Sequence, residues 1–244
     1  MMVNRLPLFI LAVFLGSLSL QGQKKIEFPS KDGIEISATV YILQDTMPYM
    51  ILCHQAGYSR GEYEETARKF MKFQYNCLAI DLRSGGEIND VKNETAQHAK
   101  EKNKPVTYLD AEQDMLAAID YAFAKSKKKV ILIGSSYSAS LALKIAASKN
   151  EKVKAVIAFS PGEYFGKTLV LKDHIKTIPV PVFVTSSKEE APALTKLMND
   201  VTCTGKQQFI PASKGEHGSR ALWKENQNAH EYWLAVLMFM RGVK

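Results

Sequence analysis

The chain has 244 residues, of which 46% are hydrophobic and 23% are charged, the composition of an ordinary globular protein. This length suits one large α/β domain and requires no second one. The formal net charge is +7, but the lysines are scattered or stand in short polar runs without interleaved aromatic residues, and the chain carries no nucleic-acid-binding motif. We therefore attribute the charge to a solvated basic surface and expect no nucleic-acid partner.

The N-terminus has the pattern of a secretory signal peptide. Arg5 precedes the apolar run LPLFILAVFLGSLSL, and small or polar residues follow that run. The run is short for a membrane-spanning helix, and no cysteine near its end offers a site for a lipid anchor. We therefore predict a signal peptide over residues 1–22, cleaved near Gly22 or after Ser19. The domain over residues 23–244 is expected to be exported, periplasmic or secreted, without stable membrane insertion.

The first predicted elements of the domain are two strands within IEFPSKDGIEISATVYI, joined by a tight Lys-Asp-Gly turn. Apolar and polar residues alternate from residue 34 to residue 40, which is the period of a half-buried strand. Because a short turn joins them, we expect these two strands to pair antiparallel.

Farther along the chain, apolar strand-like runs alternate with helical patterns. The predicted strands are YMILC, NCLAI, VILI, VKAVIAF, PVFVT and KQQFI, and the predicted helices cover residues 62–74, 108–124, 192–199 and 220–240, with another helix beginning at residue 138. The polar stretch over residues 87–105 has no clear period, so that it either borders a site or forms a mobile solvated loop. Alternating strands and helices predict right-handed crossovers and a mostly parallel central sheet with helices on both faces.

The three cysteines predict neither a metal site nor a defined disulfide framework. Their number is odd, and their spacing fits no metal-binding motif. Cys53 and Cys77 lie in apolar runs and are expected to be small buried residues. An oxidising compartment would allow one disulfide, whose pairing the sequence leaves open.

Polar segments follow four of the predicted strands. In open α/β sheets, chemistry takes place beyond the carboxyl ends of the strands. These segments are HQAG at residues 54–57, GSS at 134–136, SSKEE at 186–190 and GEHG at 215–218. The serine, acidic and histidine segments therefore occur in the chain order of nucleophile, acid and base.

The segment VILIGSSYSASLALKIAA combines an apolar strand, a cluster of small residues and a helix. A sharp turn between a strand and a helix exposes its central residue in a strained conformation, and the flanking residues must be small. The usual signature is G-x-S-x-G, and here it is Gly134-Ser135-Ser136-Tyr137-Ser138, with serine in the last glycine position. The spacing from the glycine makes Ser136 the nucleophile, while Ser135 and Ser138 keep the turn compact.

With this turn and this order of segments, the chain resembles the α/β-hydrolase superfamily. It is most similar to the compact dienelactone-hydrolase-like members, and the resemblance covers nearly all of the mature chain. The resemblance implies a single α/β-hydrolase domain. Residues 160–179, where many relatives insert a helical lid, offer no room for a large one, so we expect an open cleft.

A serine hydroxyl is a poor nucleophile at neutral pH and needs a base together with a group that orients the base. His217 stands in GEHGSRALW, between the last strand and the last helix, where the family places its histidine. The other histidines lack this placement, and His54 is expected to shape the turn after its strand.

The resemblance implies a carboxylate just past the strand PVFVT, where Glu189 and Glu190 both stand. The usual spacing, counted from Ser187, favours Glu190 as the acid, and Glu189 is the alternative. The other glutamate is expected to cap the following helix, where its charge favours the helix dipole.

Acyl transfer also requires donors for the oxyanion. One is expected to be the backbone N–H of Tyr137, directly behind the nucleophile. Relatives often have His-Gly-x after the strand, and matching His54 to that histidine makes Ala56 the second donor. Gln55 replaces the glycine, so a role for its side chain or its own N–H stays open. Gln55 and Tyr58 are candidate substrate-binding residues.

These residues together predict a serine hydrolase that cleaves an ester, lactone or related acyl bond through a Ser-His-Glu triad and an acyl-enzyme intermediate. The same triad serves peptidases and amidases, which remain an alternative. A non-catalytic binding module that kept the fold is a second alternative, against which the intact Ser136 and His217 argue. We expect a small-molecule acyl substrate and no metal or other cofactor, and the sequence leaves the substrate and the oligomeric state open.

Overall fold

The computed structural model describes residues 22–148 and 151–243. The predicted signal peptide, apart from Gly22, lies outside these residues and stays a prediction. Within the described part of the chain, none of the helices has both the length and the apolar character that crossing a bilayer requires.

The described residues form twelve strands, seven α-helices and three 3-10 helices. The strands are β1 (Lys24–Pro29), β2 (Glu35–Tyr41), β3 (Tyr49–Cys53), β4 (Asn76–Ile80), β5 (Glu87–Ile88), β6 (Val91–Lys92), β7 (Val130–Ser135), β8 (Val153–Phe159), β9 (Thr177–Ile178), β10 (Val182–Thr185), β11 (Thr202–Cys203) and β12 (Lys206–Phe209). The α-helices are α1 (Ala67–Phe70), α2 (Glu94–Glu101), α3 (Glu112–Ser126), α4 (Tyr137–Ala147), α5 (Leu171–His174), α6 (Ala191–Met198) and α7 (Ala229–Gly242). The 3-10 helices are Arg60–Tyr63, Met71–Phe73 and Gly218–Leu222.

Eight strands form the central sheet, in the order β1-β2-β4-β3-β7-β8-β10-β12. The pairs β1–β2 and β2–β4 are antiparallel, and every other neighbouring pair is parallel. The predicted mostly parallel sheet with an antiparallel beginning is therefore confirmed. Parallel strands are joined by crossovers, and these place the helices against the sheet.

Alternate residues of the central strands pack into two apolar clusters, one on each face of the sheet. In β3, Ile51 belongs to the cluster that α2, α3, α4 and α6 cover, whereas Met50 and Leu52 belong to the cluster that α1 and α7 cover. Because both faces are buried, the inner strands are nearly continuous apolar runs, such as YMILC in β3. Burying each of these large side chains contributes about 1.5–3 kcal/mol to folding. The prediction of helices on both faces is confirmed.

The cysteines are free thiols, and Cys53 and Cys77 are buried in these clusters as expected. The predicted absence of a large lid is also confirmed for the described residues, because between β8 and β9 the chain forms only the four-residue helix α5.

Three predicted elements differ from the structure. The helix expected over residues 62–74 is divided into two 3-10 helices and α1, and it ends at Gln74 in a left-handed conformation (φ 66°). A tertiary contact holds the first part of this segment, because the Tyr63 hydroxyl donates a hydrogen bond to the carbonyl of Cys53 in β3 at 2.9 Å. Such contacts outweigh the helix propensity of the segment.

The helix expected over residues 220–240 is likewise interrupted between the last 3-10 helix and α7. The side chain of Asn226 donates to the carbonyl of Ala221 at 2.6 Å and thereby competes with helical hydrogen bonding. Trp223, expected on the final helix, lies in this interruption and is half-buried.

The stretch over residues 87–105 is not a featureless loop. It forms the hairpin β5–β6 and then helix α2. The side chain of Asn93 caps α2 by accepting a hydrogen bond from Ala96 N–H at 2.8 Å. Asparagine followed by glutamate in the first turn is a helix-start signal that the sequence interpretation missed.

Candidate active site

The parallel strands β3, β7, β8, β10 and β12 end at the same edge of the sheet, and the predicted site residues follow these ends. Ala56 follows β3, Ser136 follows β7, Glu190 follows β10 and His217 follows β12. The topology therefore brings the four predicted segments together.

Ser136 occupies a strained backbone conformation between β7 and α4. Its φ is 60° and its ψ is −123°, a region that a residue other than glycine enters at a cost of about 1–3 kcal/mol. The surrounding structure enforces this conformation, since Ser136 N–H donates to the carbonyl of Phe159 in β8 at 2.8 Å and α4 begins at the next residue. Its side chain is accordingly held at the sheet edge, at the beginning of a helix.

The residues flanking Ser136 are small for steric reasons that the structure makes explicit. A Cβ atom at Gly134 would lie 2.4 Å from Cα of Ala139, inside helix α4. Ser138, in the last glycine position of the signature, accepts a hydrogen bond from Ser135 N–H at 2.9 Å and donates to the carbonyl of Cys53 at 2.8 Å. The serine therefore ties the turn to β3, a role that glycine would not supply.

The imidazole of His217 hydrogen-bonds through Nδ1 to Oε1 of Glu190. The other oxygen of Glu190 accepts hydrogen bonds from the hydroxyls of Ser160 at 2.8 Å and Ser187 at 3.0 Å. Burial alone would raise the pKa of Glu190, but the hydrogen bonds from His217 and Ser160 and the charge of His217 lower it to about 2. The carboxylate is therefore ionised at neutral pH and accepts the Nδ1 proton, while the His217 side chain stays 41% exposed.

Glu189 lies outside this arrangement. Its side chain is exposed and makes no hydrogen bond with any described residue. Glu190 is the residue that precedes the first turn of α6, and its side chain does not cap that helix. Neither glutamate therefore caps α6 through a side-chain hydrogen bond, and the expected interaction of the Glu189 charge with the helix dipole stays a prediction.

The loop after β3 is fixed by His54, which is completely buried. Nδ1 of His54 donates to the carbonyl of Gln55 at 2.7 Å, and Nε2 accepts from Leu82 N–H at 2.9 Å. Burial lowers the pKa of His54 to about 4, although its backbone hydrogen bonds act in the opposite direction. His54 is therefore neutral and shapes the turn, as predicted.

The two predicted oxyanion donors are unpaired in the described part of the chain. Gln55 N–H is already taken by Oε2 of Glu62 at 2.7 Å, whereas Ala56 N–H makes no hydrogen bond there. Tyr137 N–H belongs to the first turn of α4 and has no intrahelical acceptor. The Gln55 side chain is buried and points toward the segment around His217 (residues 215–219, the histidine loop), 3.4 Å from where a Cβ on Gly218 would lie.

Tyr58 anchors a neighbouring segment through its backbone. Its carbonyl accepts hydrogen bonds from Gly86 N–H at 2.9 Å and from the Asn93 side chain at 3.2 Å. The segment that contains β5 and β6 therefore packs against the loop after β3 and borders the site.

Two further tyrosines line the site. The Tyr164 hydroxyl lies next to Ser136 and donates to the carbonyl of Ser160 at 2.8 Å. The half-exposed ring of Tyr108 stacks on the buried ring of Tyr137, with centroids 4.4 Å apart. A cavity of about 290 Å³ beside Glu190 is lined mainly by apolar residues, among them Pro161, Tyr164, Leu194 and Leu197.

Sequence reasoning missed three residues that hold the site together: Glu62, Ser160 and Ser219. Ser160 donates to Glu190 and accepts from Gly218 N–H at 3.0 Å, so it joins the acid to the histidine loop. It directly follows β8, and inspecting the end of that strand as well would have found it. Glu62 and Ser219 carry no comparable signal in the sequence.

Residues 36–230 match the family model described as the dienelactone hydrolase family. The chain belongs to the dienelactone hydrolase family. The recognised resemblance is thereby confirmed, and the protein is a hydrolase of the esterase type. No match was found among curated proteins.

Several solved structures have a similar fold. An esterase from Pyrococcus furiosus has a TM-score of 0.67 and 17% identity, with 97% of each chain covered. A dienelactone hydrolase from Anabaena variabilis has a TM-score of 0.63 and 15% identity, with 89% of this chain and 95% of that chain covered. A prolyl endopeptidase has a TM-score of 0.65 and 13% identity, with 91% of this chain and 38% of that chain covered. At such low identity these likenesses establish the fold alone.

Proposed function

We propose that the protein is a serine hydrolase that cleaves an ester, lactone or related acyl bond through Ser136, His217 and Glu190. The observation that carries the proposal is the strained conformation of Ser136 at the beginning of α4, combined with a histidine whose Nδ1 is held by an ionised glutamate. An activated serine needs a base that a third group orients, and the base and its orienting acid are in contact here. Ser136 and His217 make no hydrogen bond with each other among the described residues, and the proposal requires that contact to form in the complex with substrate.

In this proposal the hydroxyl oxygen of Ser136 attacks the acyl carbon, and its proton passes to Nε2 of His217. Glu190 keeps Nδ1 protonated and stabilises the imidazolium that forms. Collapse of the tetrahedral intermediate expels the alcohol, which takes the proton from His217 and leaves the acyl-enzyme. Water then attacks the acyl carbon by the same route and releases the acid and Ser136.

The negative oxygen of the tetrahedral intermediate needs hydrogen-bond donors that are already in place. We assign this role to the N–H groups of Ala56 and Tyr137, which are free of protein acceptors in the described part of the chain. Each such donor is worth about 10²- to 10³-fold in turnover. The N–H of Gln55 is excluded from the role, because it already donates to Glu62.

Labelling with a fluorophosphonate tests the proposal, because such a probe reacts covalently with an activated serine. We expect mass spectrometry to find the adduct on Ser136, no labelling of Ser136→Ala and ordinary labelling of the control Ser148→Ala, at the far end of α4. An adduct on Ser135 or Ser138 would overturn the assignment of the nucleophile. An unlabelled wild-type protein would support a non-catalytic binding module, and turnover of peptides but not of esters or lactones would favour a peptidase.

A further inference from the structure

A single buried carboxylate, that of Glu62, connects three segments of the site. Glu62 is completely buried. Its Oε2 accepts a hydrogen bond from Gln55 N–H at 2.7 Å, and its Oε1 accepts from the hydroxyls of Ser135 at 2.7 Å and Ser219 at 2.6 Å. The donors come from three segments that are distant in sequence: the loop after β3, the last residue of β7 and the beginning of the 3-10 helix that follows His217.

Each donor is close in sequence to a residue that has a role in the proposed reaction. Gln55 precedes the oxyanion donor Ala56, Ser135 precedes the nucleophile, and Ser219 lies two residues after the base. Ser219 N–H also donates to the hydroxyl of Ser135 at 2.8 Å, which joins the turn around Ser136 (residues 134–138, the nucleophile turn) to the histidine loop. A displacement of the Glu62 carboxylate would therefore move these three segments relative to one another.

The short helix that carries Glu62 is itself fixed on several sides. The side chain of Arg60 pairs with the carboxylates of Asp81 and Glu94. The carbonyl of Glu62 accepts a hydrogen bond from Trp223 Nε1 at 3.0 Å. The carboxylate therefore projects into the site from a rigid support.

Packing alone does not explain a carboxylate at this position. No lysine or arginine forms an ion pair with Glu62 among the described residues, and a buried charge without a cation opposes folding. Burial raises the pKa of Glu62 above its ordinary value and outweighs the opposing hydrogen bonds from Ser219, Ser135 and Gln55. Hydrogen bonds to three separate segments, and not an ion pair, hold the carboxyl group at this position.

We propose that Glu62 is a positioning residue of the hydrolytic site. It holds the loop after β3 (residues 54–57, the oxyanion loop), the nucleophile turn and the histidine loop in their reactive arrangement. This inference rests on the proposed function. It requires that loss of Glu62 reduces turnover more than substrate binding, because misplaced reacting groups slow the chemical step.

The test compares Glu62→Gln with the wild-type protein on an ester substrate. Glutamine keeps the size of the side chain and one acceptor oxygen, but it replaces the second acceptor oxygen with an amide donor that faces groups which are themselves donors. We expect kcat to fall by about 10- to 100-fold while KM stays close to that of the wild type. The rate of fluorophosphonate labelling at Ser136 is expected to fall in parallel.

Asp114→Asn is the matched control. Asp114 is a buried carboxylate on α3 whose side chain hydrogen-bonds to Arg83, and it lies outside the Glu62 network. We expect this variant to have a lower Tm, because it breaks a buried ion pair, and a kcat close to that of the wild type. If Asp114→Asn lost as much kcat as Glu62→Gln, the effect would belong to a general loss of stability and the proposal would be wrong.

Ser219→Ala is a second test in case Glu62→Gln does not fold, because it removes one hydrogen-bond donor and leaves the Glu62 side chain in place. We expect it to lower kcat with little change in KM. A folded Glu62→Gln or Ser219→Ala protein with wild-type kcat would overturn the role of Glu62. Failure of the wild-type protein to label would instead overturn the proposed function, so the two failures are distinguishable.

Discussion

His217 hydrogen-bonds to Glu190, while the carboxylate of the preceding residue, Glu189, is exposed. From this relationship we expect Glu190→Gln to lose nearly all turnover, by about 10⁴-fold, because the amide no longer fixes the imidazole tautomer or stabilises the imidazolium. Steady-state kinetics on an ester, with circular dichroism to confirm folding, measures the effect.

Glu189→Gln is the natural control, since it removes the same charge one residue away. We expect it to keep most of its activity, because a charge near a helix N-terminus contributes only about 0.3–1 kcal/mol to stability. The reverse result would transfer the role to Glu189, and retained turnover in both variants would place the acid on another strand end.

The sequence could not decide between these two glutamates on its own. The direction of each side chain depends on the path of the loop between β10 and α6, which is set by contacts such as the hydrogen bond from Ser187 N–H to Glu190 at 3.1 Å. Spacing relative to Ser187 favoured Glu190, but the contact between Glu190 and His217 joins residues that are 27 positions apart in the chain. The local pattern identified the segment, whereas the tertiary fold decides which of its two carboxylates contacts His217.

The strand and helix around Ser136 were predictable because their signals are local. An apolar run, a cluster of small residues and a second apolar run occupy adjacent positions in the chain. Glu62 offers the opposite case, because its partners Ser135 and Ser219 are 73 and 157 residues away. Nothing near Glu62 in the sequence distinguishes it from a solvated glutamate on a helix.

Gly134→Ala tests the steric basis of the turn. The added Cβ would lie 2.4–2.6 Å from backbone atoms of Ser138 and Ala139, which no side-chain rotation can relieve. We expect a loss of about 1–3 kcal/mol in the free energy of unfolding, as for other overpacked sites. Turnover is expected to fall by about 10²-fold, because the clash displaces Ser136. Urea unfolding and steady-state kinetics measure the two effects.

Gly205→Ala is the control for that substitution. Its nearest neighbour would be Cβ of Pro181 at 3.9 Å, an ordinary contact. We expect its stability to stay within about 0.5 kcal/mol of the wild type. Equal stability of Gly134→Ala and Gly205→Ala would contradict the steric explanation.

His54 gives the folded protein a defined dependence of stability on pH. Its pKa is lowered from 6.5 to about 4 in the folded state, because it is buried, whereas the unfolded chain binds a proton near pH 6.5. Between pH 4 and pH 6.5 the unfolded state therefore binds more protons than the folded state. The contribution of His54 to the free energy of unfolding is fully present above pH 6.5 and decreases as the pH falls toward 4. The total contribution is about 3 kcal/mol, with a slope of up to about 1.4 kcal/mol per pH unit.

Urea unfolding at pH 7, 6 and 5 measures this slope for the wild type and for His54→Gln. We expect the wild type to lose more stability than the variant as the pH falls, because glutamine does not titrate. Other groups also have shifted pKa values, such as Asp114, whose burial raises its pKa to about 6. These groups contribute equally to the stability of both proteins, so they cancel when the two slopes are subtracted. His174→Gln, at an exposed histidine, is expected to keep the wild-type slope. If His54→Gln also kept that slope, His54 would have to titrate normally in the folded state, and the oxyanion loop would not be held by a neutral imidazole.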